Sequence, residues 1–301
     1  MPYELTLGSL FSGIGLLDLG LERAGMKTIW QCESDKHASK LLEKRLGVPN
    51  YNDVMKIDWS EVERPDILAG GFPCQPFSNA GLRKGESDDR YLWPEFARAV
   101  RSLQPRIVIV ENVAALLRKP EWGTVLGDLA EAGYDAKWAC IRASDVGAPH
   151  RRERVFIAAY SCGKPSRRNA GTTSTAETLG QDAADKSYYH GPGYGNQASA
   201  YTDSKRHENK RPKTERISEP SSVDFGPYQD AIRRWEQLTR PVPEPTDDRG
   251  RLSVRFVEWM MGAPDGWTDG MSRTQAIKGL GNGVVVQVAE AVGNWVLQDA
   301  I

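Results

Sequence analysis

The chain has 301 residues, enough for one large domain or two modest ones with a sizeable core. Its 39 basic and 40 acidic residues leave a formal charge of −1, which excludes a histone-like polycation but leaves room for a local basic face. No apolar run reaches the roughly 18 residues of a membrane span, and MPYELTLGSLFSG has no basic region before its apolar stretch, so neither an anchor nor a secretory signal is expected.

Cys32, Cys74, Cys140 and Cys162 lie far apart, without a CxxC pair, so no zinc or other metal site and no disulfide scaffold is expected. The composition is that of a soluble cytoplasmic enzyme.

Residues 1–160 alternate between short apolar runs and helical spacing. Leu5, Leu7 and Leu10-Phe11 form a buried strand that ends in the glycine turn Ser12-Gly13-Ile14-Gly15. A helix follows, with Leu17, Leu21 and Ala24 on one face and Gly25 as its stop. Further strands are predicted at Lys27–Cys32, Asp66–Ala69, Arg106–Val110 and Arg154–Ala159. Strands separated by helices predict an α/β fold around a largely parallel sheet.

Residues 161–227 break this pattern, because Leu179, Ile217 and Val223 are their only Leu, Ile, Val or Met. Such a stretch buries too little apolar area to offset its ordering entropy, so it reads as a flexible insert or a lobe that orders on a partner. Lys205 to Arg216 sets six basic residues against two glutamates, which suits either a solvated charge run or a phosphate-contacting segment. Tyr228, Ile232, Trp235 and Leu238 then fall at helical spacing, ended by Pro241, Pro243 and Pro245. Val254–Gly262 and Ile277–Leu297 look packed again, and Val284–Ala289 suits a helix or a strand rejoining the core. A core that stops and resumes predicts one domain with an insertion: 1–162, an inserted 163–250, and a returning 251–301.

Three places carry chemistry. In Phe11–Gly15 the glycines admit a ligand to the backbone at a helix N-terminus. Glu33 closes the second strand, placed to accept ribose hydroxyls, and Asp18 stands where a dinucleotide fingerprint has its third glycine. A nucleoside without phosphates therefore fits better than a dinucleotide. Gly70-Gly71-Phe72-Pro73-Cys74-Gln75-Pro76 leaves the third strand and sets a cysteine between two prolines, at the sheet edge where α/β ligands bind. Glu111-Asn112-Val113 closes the neighbouring strand, and Arg152 and Arg154 alternate with Arg151 and Glu153, so both arginines can share one face.

In this order the segments resemble those of the cytosine-C5 DNA methyltransferase family, over nearly the whole chain. Phe11-x-Gly13-x-Gly15 resembles its S-adenosylmethionine motif, Pro73-Cys74-Gln75 its catalytic loop and Glu111-Asn112-Val113 its ENV motif. His150-x-Arg152-x-Arg154 resembles Gln-x-Arg-x-Arg with His150 in the glutamine's place, and Gly281-Asn282-Gly283-Val284 resembles the closing Gly-Asn-x-Val. The resemblance implies a Rossmann-like methyltransferase fold with S-adenosyl-L-methionine as cofactor, S-adenosyl-L-homocysteine as product and no metal.

It also implies roles. Cys74 is the nucleophile toward C6 of a flipped-out cytosine, Glu111 bonds N3 and the exocyclic amine, and Arg154 with Arg152 holds O2 and the loop around the base. Phe11, Gly13, Ile14, Gly15, Glu33, Asp53, Val54, Pro73, Leu92, Asn282 and Val284 form the cofactor site, although Asp89-Arg90-Tyr91-Leu92 is one residue short of the usual pattern. Residues 163–250 take the place of the target-recognition region, with Lys205, Arg206, Lys210 and Arg211, beside Gln75 and Ser78 of the catalytic loop, as the expected DNA contacts. The expected partner is double-stranded DNA, bound by a monomer in a bacterial or phage-infected cell, with a cognate restriction endonuclease where the enzyme serves restriction-modification. An RNA cytosine-C5 methyltransferase and an inactive DNA-binding relative are the alternatives. Amino-methyltransferases of DNA are disfavoured because no Asp/Asn/Ser-Pro-Pro-aromatic segment exists.

Overall fold

The structure, a computed structural model, describes residues 4–73, 91–163 and 223–299. Six strands, β1 (Thr6–Leu10), β2 (Lys27–Cys32), β3 (Ile67–Gly70), β4 (Ile107–Val113), β5 (Tyr134–Arg142) and β6 (Glu153–Ser161), form one sheet in the order β2-β1-β3-β4-β6-β5. The pairs β1–β2, β1–β3 and β3–β4 are parallel, as the sequence predicts. β6 is reversed, pairing antiparallel with β4 and with β5. β6 alone runs against the other five strands, so the sheet is largely parallel as expected, and the reversal brings the start of β6 to the finishing end of β4.

Alternation along the strands divides the core into two layers. Leu7, Ile67, Ala69, Ile107, Ile109, Phe156 and Ala158 face one side. Leu10, Leu68, Val108, Val110, Ile157 and Ala159 face the other. Such two-sided burial is why the strands read as continuous apolar runs. The second layer is closed by α3 (Trp93–Leu103) and α4 (Glu121–Glu131), whose Trp93, Phe96 and Leu129 are buried. β5 escapes a sequence reading because it is an edge strand of mixed character (YDAKWACIR), with most of its side chains partly or fully exposed.

The first layer holds α1 (Leu16–Arg23), α2 (Lys36–Arg45) and the C-terminal elements α5 (Gln229–Leu238), α6 (Val254–Met260), α7 (Arg273–Asn282) and α8 (Val286–Asp299). Val284–Ala289 thus resolves as the entry to a helix. α1 and α8 pack closely because two glycines remove side chains from the contact. A Cβ at Gly20 would meet the Ala289 Cβ and the Val286 carbonyl, and one at Gly293 would meet the Ala24 Cβ. On α5, Ile232 and Trp235 are buried, whereas Tyr228 and Leu238, expected on the same stripe, are 65% and 46% exposed. Tyr228 precedes the helix, in a 3-10 turn, and Leu238 ends it, so neither faces the core squarely. Trp235 donates from Nε1 to the Trp259 carbonyl at 2.8 Å, and Trp259 donates to the Arg240 carbonyl at 2.8 Å.

Candidate active site

The site lies along the carboxyl ends of β2, β1, β3 and β4, the ligand edge of an open α/β sheet. At its first half β1 and β2 end in register, Leu10 beside Cys32. The chain then passes through three left-handed positions, Phe11 (φ 53°), Gly13 (φ 57°) and Gly15 (φ 78°). Glycine adopts this conformation freely, but a phenylalanine does so only when its surroundings impose it. Phe11 stacks on Phe96 of α3 at 6.3 Å. A Cβ on Gly13 would meet nothing within 4 Å, so open space faces the backbone there. Gly15 caps α1 without a side-chain hydrogen bond, so no side chain of its own satisfies the first helix N–H donors.

Glu33 continues from β2 into this turn. Its Oε2 accepts from Gly13 N–H at 2.7 Å and its Oε1 from Asp35 N–H at 2.7 Å, so the carboxylate is fixed while each oxygen keeps accepting capacity. Its own N–H donates to Asn50 Oδ1 at 2.9 Å. Asp53 caps the short turn Val54–Lys56 by accepting from Met55 N–H at 3.1 Å and pairs with Lys56 at 3.0 Å. Its Lys56 hydrogen bond comes first among the contacts that hold its carboxyl below the usual range. Ile14 and Val284 are buried and pack into the core, so Ile14 offers its backbone, whose carbonyl accepts from Trp267 Nε1 at 2.8 Å. Leu92 and Pro73 are half-buried, and Asn282 is exposed at the end of α7.

The second half is built by two neighbouring strands. Glu111 pairs with Phe156 and Val113 with Arg154 across the antiparallel ladder, so Glu111 and Arg154 are diagonal neighbours on one face. Arg154 Nε lies 3.0 Å from Glu111 Oε1, with the two side chains 16% and 12% exposed. Burial raises the Glu111 pKa, and the pull of Arg154 and Arg152 toward the ionised form does not cancel it. Arg152 does not bond Glu111. Its Nη2 donates to the carbonyls of Gly281 and Gly283, each at 2.7 Å, which ties the start of β6 to the end of α7. Burial, and then Arg154, lower its pKa to about 10. His150 bridges to α6, its Nε2 3.0 Å from the Met260 carbonyl.

β3 meets this group at Gly71. A Cβ there would overlap Glu111 Oε2, so the missing side chain makes room for the carboxyl group. Asn112 Nδ2 donates to the Phe72 carbonyl at 3.2 Å and fixes the chain leaving β3. Cys74, Gln75, Ser78, Lys205, Arg206, Lys210 and Arg211 lie outside the described residues. Cys32 is buried, and burial, with Glu33 and Asp53 beside it, pushes its thiol up to about 12, which makes it an unreactive core residue.

A reading of the sequence misses the supports of this edge. Arg98 of α3 donates to the carbonyls of Val54, at 2.7 Å, and Ile57, at 3.1 Å, and lies over the Trp59 ring, which fixes the Asp53 turn from behind. Its pair with Glu95, three residues earlier on the same helix, says nothing of the Asp53 turn. Asn50 gives no signal, and Gly71 is read only as part of the chain leaving the third strand, because the value of both comes from neighbours distant in sequence.

The chain matches the family of C-5 cytosine-specific DNA methylases over residues 5–298. It is 35% identical over 161 residues to the type II methyltransferase M.BsuFI of Bacillus subtilis and 37% over 156 residues to M.NgoBI of Neisseria gonorrhoeae. Those alignments cover 52% and 50% of this chain but only 39% and 49% of the relatives, so the chain matches less than half of their length. M.SsoII of Shigella sonnei is 28% identical over 96% of this chain and 79% of its own length. Among solved structures, the S. pombe Dnmt2 methyltransferase superposes with a TM-score of 0.63 at 15% identity, covering 99% of both chains. That likeness shows a shared fold, and the match over residues 5–298 shows that the chain belongs to the C-5 cytosine-specific DNA methylase family.

Proposed function

We propose that the protein is a DNA (cytosine-5-)-methyltransferase acting as a monomer on a specific duplex sequence. The observation that carries the reading is the buried Glu111–Arg154 pair, set against Gly71 three residues before Cys74, on the same sheet edge as the Glu33–Gly13 turn. The turn fits a nucleoside: open space faces Gly13, and the Glu33 carboxylate is anchored beside it with lone pairs to spare. Phe11, Gly13, Ile14, Gly15 and Glu33 would hold the sugar and amino-acid end of S-adenosylmethionine. Asp53, Val54, Pro73, Leu92, Asn282 and Val284 would complete the pocket. When bound, the cofactor supplies an electrophilic methyl group.

The chain's own residues do the rest. The target cytosine leaves the duplex at a cost of a few kcal/mol, recovered from pocket and phosphate contacts. Cys74 as thiolate adds to C6, which turns C5 into an enamine carbon able to take the methyl group. Glu111 bonds N3 and the exocyclic amine, and its raised proton affinity suits a group that neutralises the ring as the thiolate adds. Arg154 holds Glu111 and the base's O2, and Arg152 holds the closing glycine segment beside it. Loss of the C5 proton and expulsion of Cys74 release 5-methylcytosine. Residues 163–250 would read the target sequence, with Lys205, Arg206, Lys210 and Arg211 on phosphates. The type II methyltransferase relatives favour a restriction-modification setting, with a cognate endonuclease in the same bacterial cytoplasm. No helix among the described residues is long and apolar enough to cross a membrane.

The test is incubation with mixed-sequence duplex DNA and S-adenosylmethionine, followed by bisulfite sequencing. Methylation at one short motif, lost in Cys74→Ser while cofactor binding persists, is the expected result. Methylation of transfer RNA but not duplex would replace DNA by RNA as the substrate. Full activity of Cys74→Ser would overturn the mechanism.

A further inference from the structure

His150 opens the segment that delivers both arginines, and each of its ring nitrogens has a partner that fixes its role. Nε2 is 3.0 Å from the Met260 carbonyl, which can only accept. Nδ1 is 3.4 Å from the Arg152 backbone N–H, which can only donate. The neutral ring protonated on Nε2 is the one form that satisfies both. We propose that His150 is a positioning residue whose neutral Nε2–H form docks the start of β6 on α6, so that Arg152 reaches the Gly281 and Gly283 carbonyls and Arg154 reaches Glu111, and whose protonation undoes that docking. This rests on the methyltransferase reading for its effect on rate, and on the geometry alone for its tautomer.

A proton on Nδ1 would oppose two N–H donors, from the ring and from Arg152, and would place a second cation beside the Arg152 guanidinium. The groups around the ring are Arg152 from its own segment and the uncharged Met260 carbonyl from α6. Arg152 in turn meets Glu111 of β4, Arg154 of β6 and the two glycine carbonyls after α7. Burial is the main cause that lowers the His150 pKa below its usual value, and Arg152 adds to it. The sign follows: the unfolded chain takes up this proton first as pH falls. The contribution of neutral His150 to stability is therefore whole above its ordinary pKa of about 6.5 and falls as pH drops below it. The docking in the folded protein, and kcat with it, is lost at the lower pH where the folded ring itself takes up the proton.

A glutamine amide offers the same acceptor and donor without a charge, so His150→Gln is the discriminating variant. Near pH 8 its kcat should match the parent's. As pH falls, the ratio of variant to parent kcat should rise by up to about tenfold per pH unit, whatever Cys74 and Glu111 contribute to both profiles. Circular dichroism over the same range reports whether either protein unfolds. A flat ratio with both proteins folded overturns the proposal. Nitrogen-15 histidine spectra give the second reading: the resonances lost in His150→Gln should report a neutral Nε2–H ring at pH near 7.5. An Nδ1–H or charged ring there overturns it too. If the parent methylates nothing at any pH, the methyltransferase reading fails, and the spectra still decide the tautomer.

Discussion

The two halves of the site are built by opposite means. At the proposed cofactor edge, Glu33 and Asp53 are held by backbone N–H groups of tight turns; Glu33 is half-buried and the Asp53 side chain is 38% exposed. At the proposed catalytic corner, the Glu111 and Arg154 side chains are only 12% and 16% exposed, and Glu111, Arg152 and Arg154 are fixed by one another and by distant carbonyls. A turn can be assembled locally and can yield to a ligand. A buried charged corner has to be right before substrate arrives, because each unpaired group there costs several kcal/mol. Damage at the corner should therefore appear in kcat, and damage at the edge in cofactor affinity.

The sharpest way to break that division is Glu111→Gln. The variant keeps the shape but loses the proton exchange and leaves Arg154 without its carboxylate. Its kcat should fall by about 10²–10⁴-fold, with cofactor Kd unchanged. A comparable loss of cofactor binding would show that the two halves are one unit. Gly71→Ala asks the same question more gently. The new methyl group meets the Glu111 carboxyl, so Glu111 must leave its place against Arg154, and the loss of that partly buried pair should lower Tm as well as kcat. Misplacing a reacting group by about 1 Å costs on the order of 10²-fold in rate. A folded, fully active alanine variant would mean that the Glu111 position does not matter.

The cofactor edge should respond in the other parameter. Glu33→Ala removes the acceptor for Gly13 and Asp35 together with the proposed partner of the ribose hydroxyls. Hydrogen bonds to a charged group contribute about 1.5–3 kcal/mol, so the Kd for S-adenosylhomocysteine should rise roughly 10–100-fold by calorimetry. At saturating cofactor, kcat should recover. A kcat that stays low at saturation would place Glu33 in the chemistry instead.

How much of this was legible in the sequence follows the same division. The strands Ile67–Gly70 and Ile107–Val113 announce themselves because burial on both faces demands unbroken apolar runs. The turn Phe11–Gly15 is legible because a backbone held at positive φ selects glycine. The reversal of β6 was not, since a buried strand has the same composition in either direction, and it is that reversal which sets Arg154 diagonal to Glu111. The roles of Arg98 and of Gly71 were equally silent. One acts on carbonyls more than forty residues away, and the other acts by what it lacks.

Beneath the cofactor turn the edge does contain one buried charge, and it gives the smallest predicted effect. Asp18 is 1% exposed, with Oδ1 accepting from Gln31 Nε2 at 3.2 Å, while Asp18 Oδ2 and Gln31 Oε1 have no protein partner. Burial raises its pKa from 3.8 to about 6, against the opposing bonds from Ser9 and Gln31. Because the folded value is the higher one, the folded state binds the extra proton between those two values. Asp18 therefore contributes most below its unfolded pKa and loses that contribution as pH rises through about 6. Asp18→Asn keeps the carbonyl acceptor and removes the charge. It should stabilise the protein by on the order of 1–3 kcal/mol above that window and hardly at all near pH 4. Thermal melts of both proteins at about pH 4 and about pH 8 give the comparison, at roughly 2–4 °C per kcal/mol. An equal Tm difference at both pH values would mean that Asp18 stays ionised, and that its charge is part of the support beneath Ser9 and Ser12 rather than a cost of burying it.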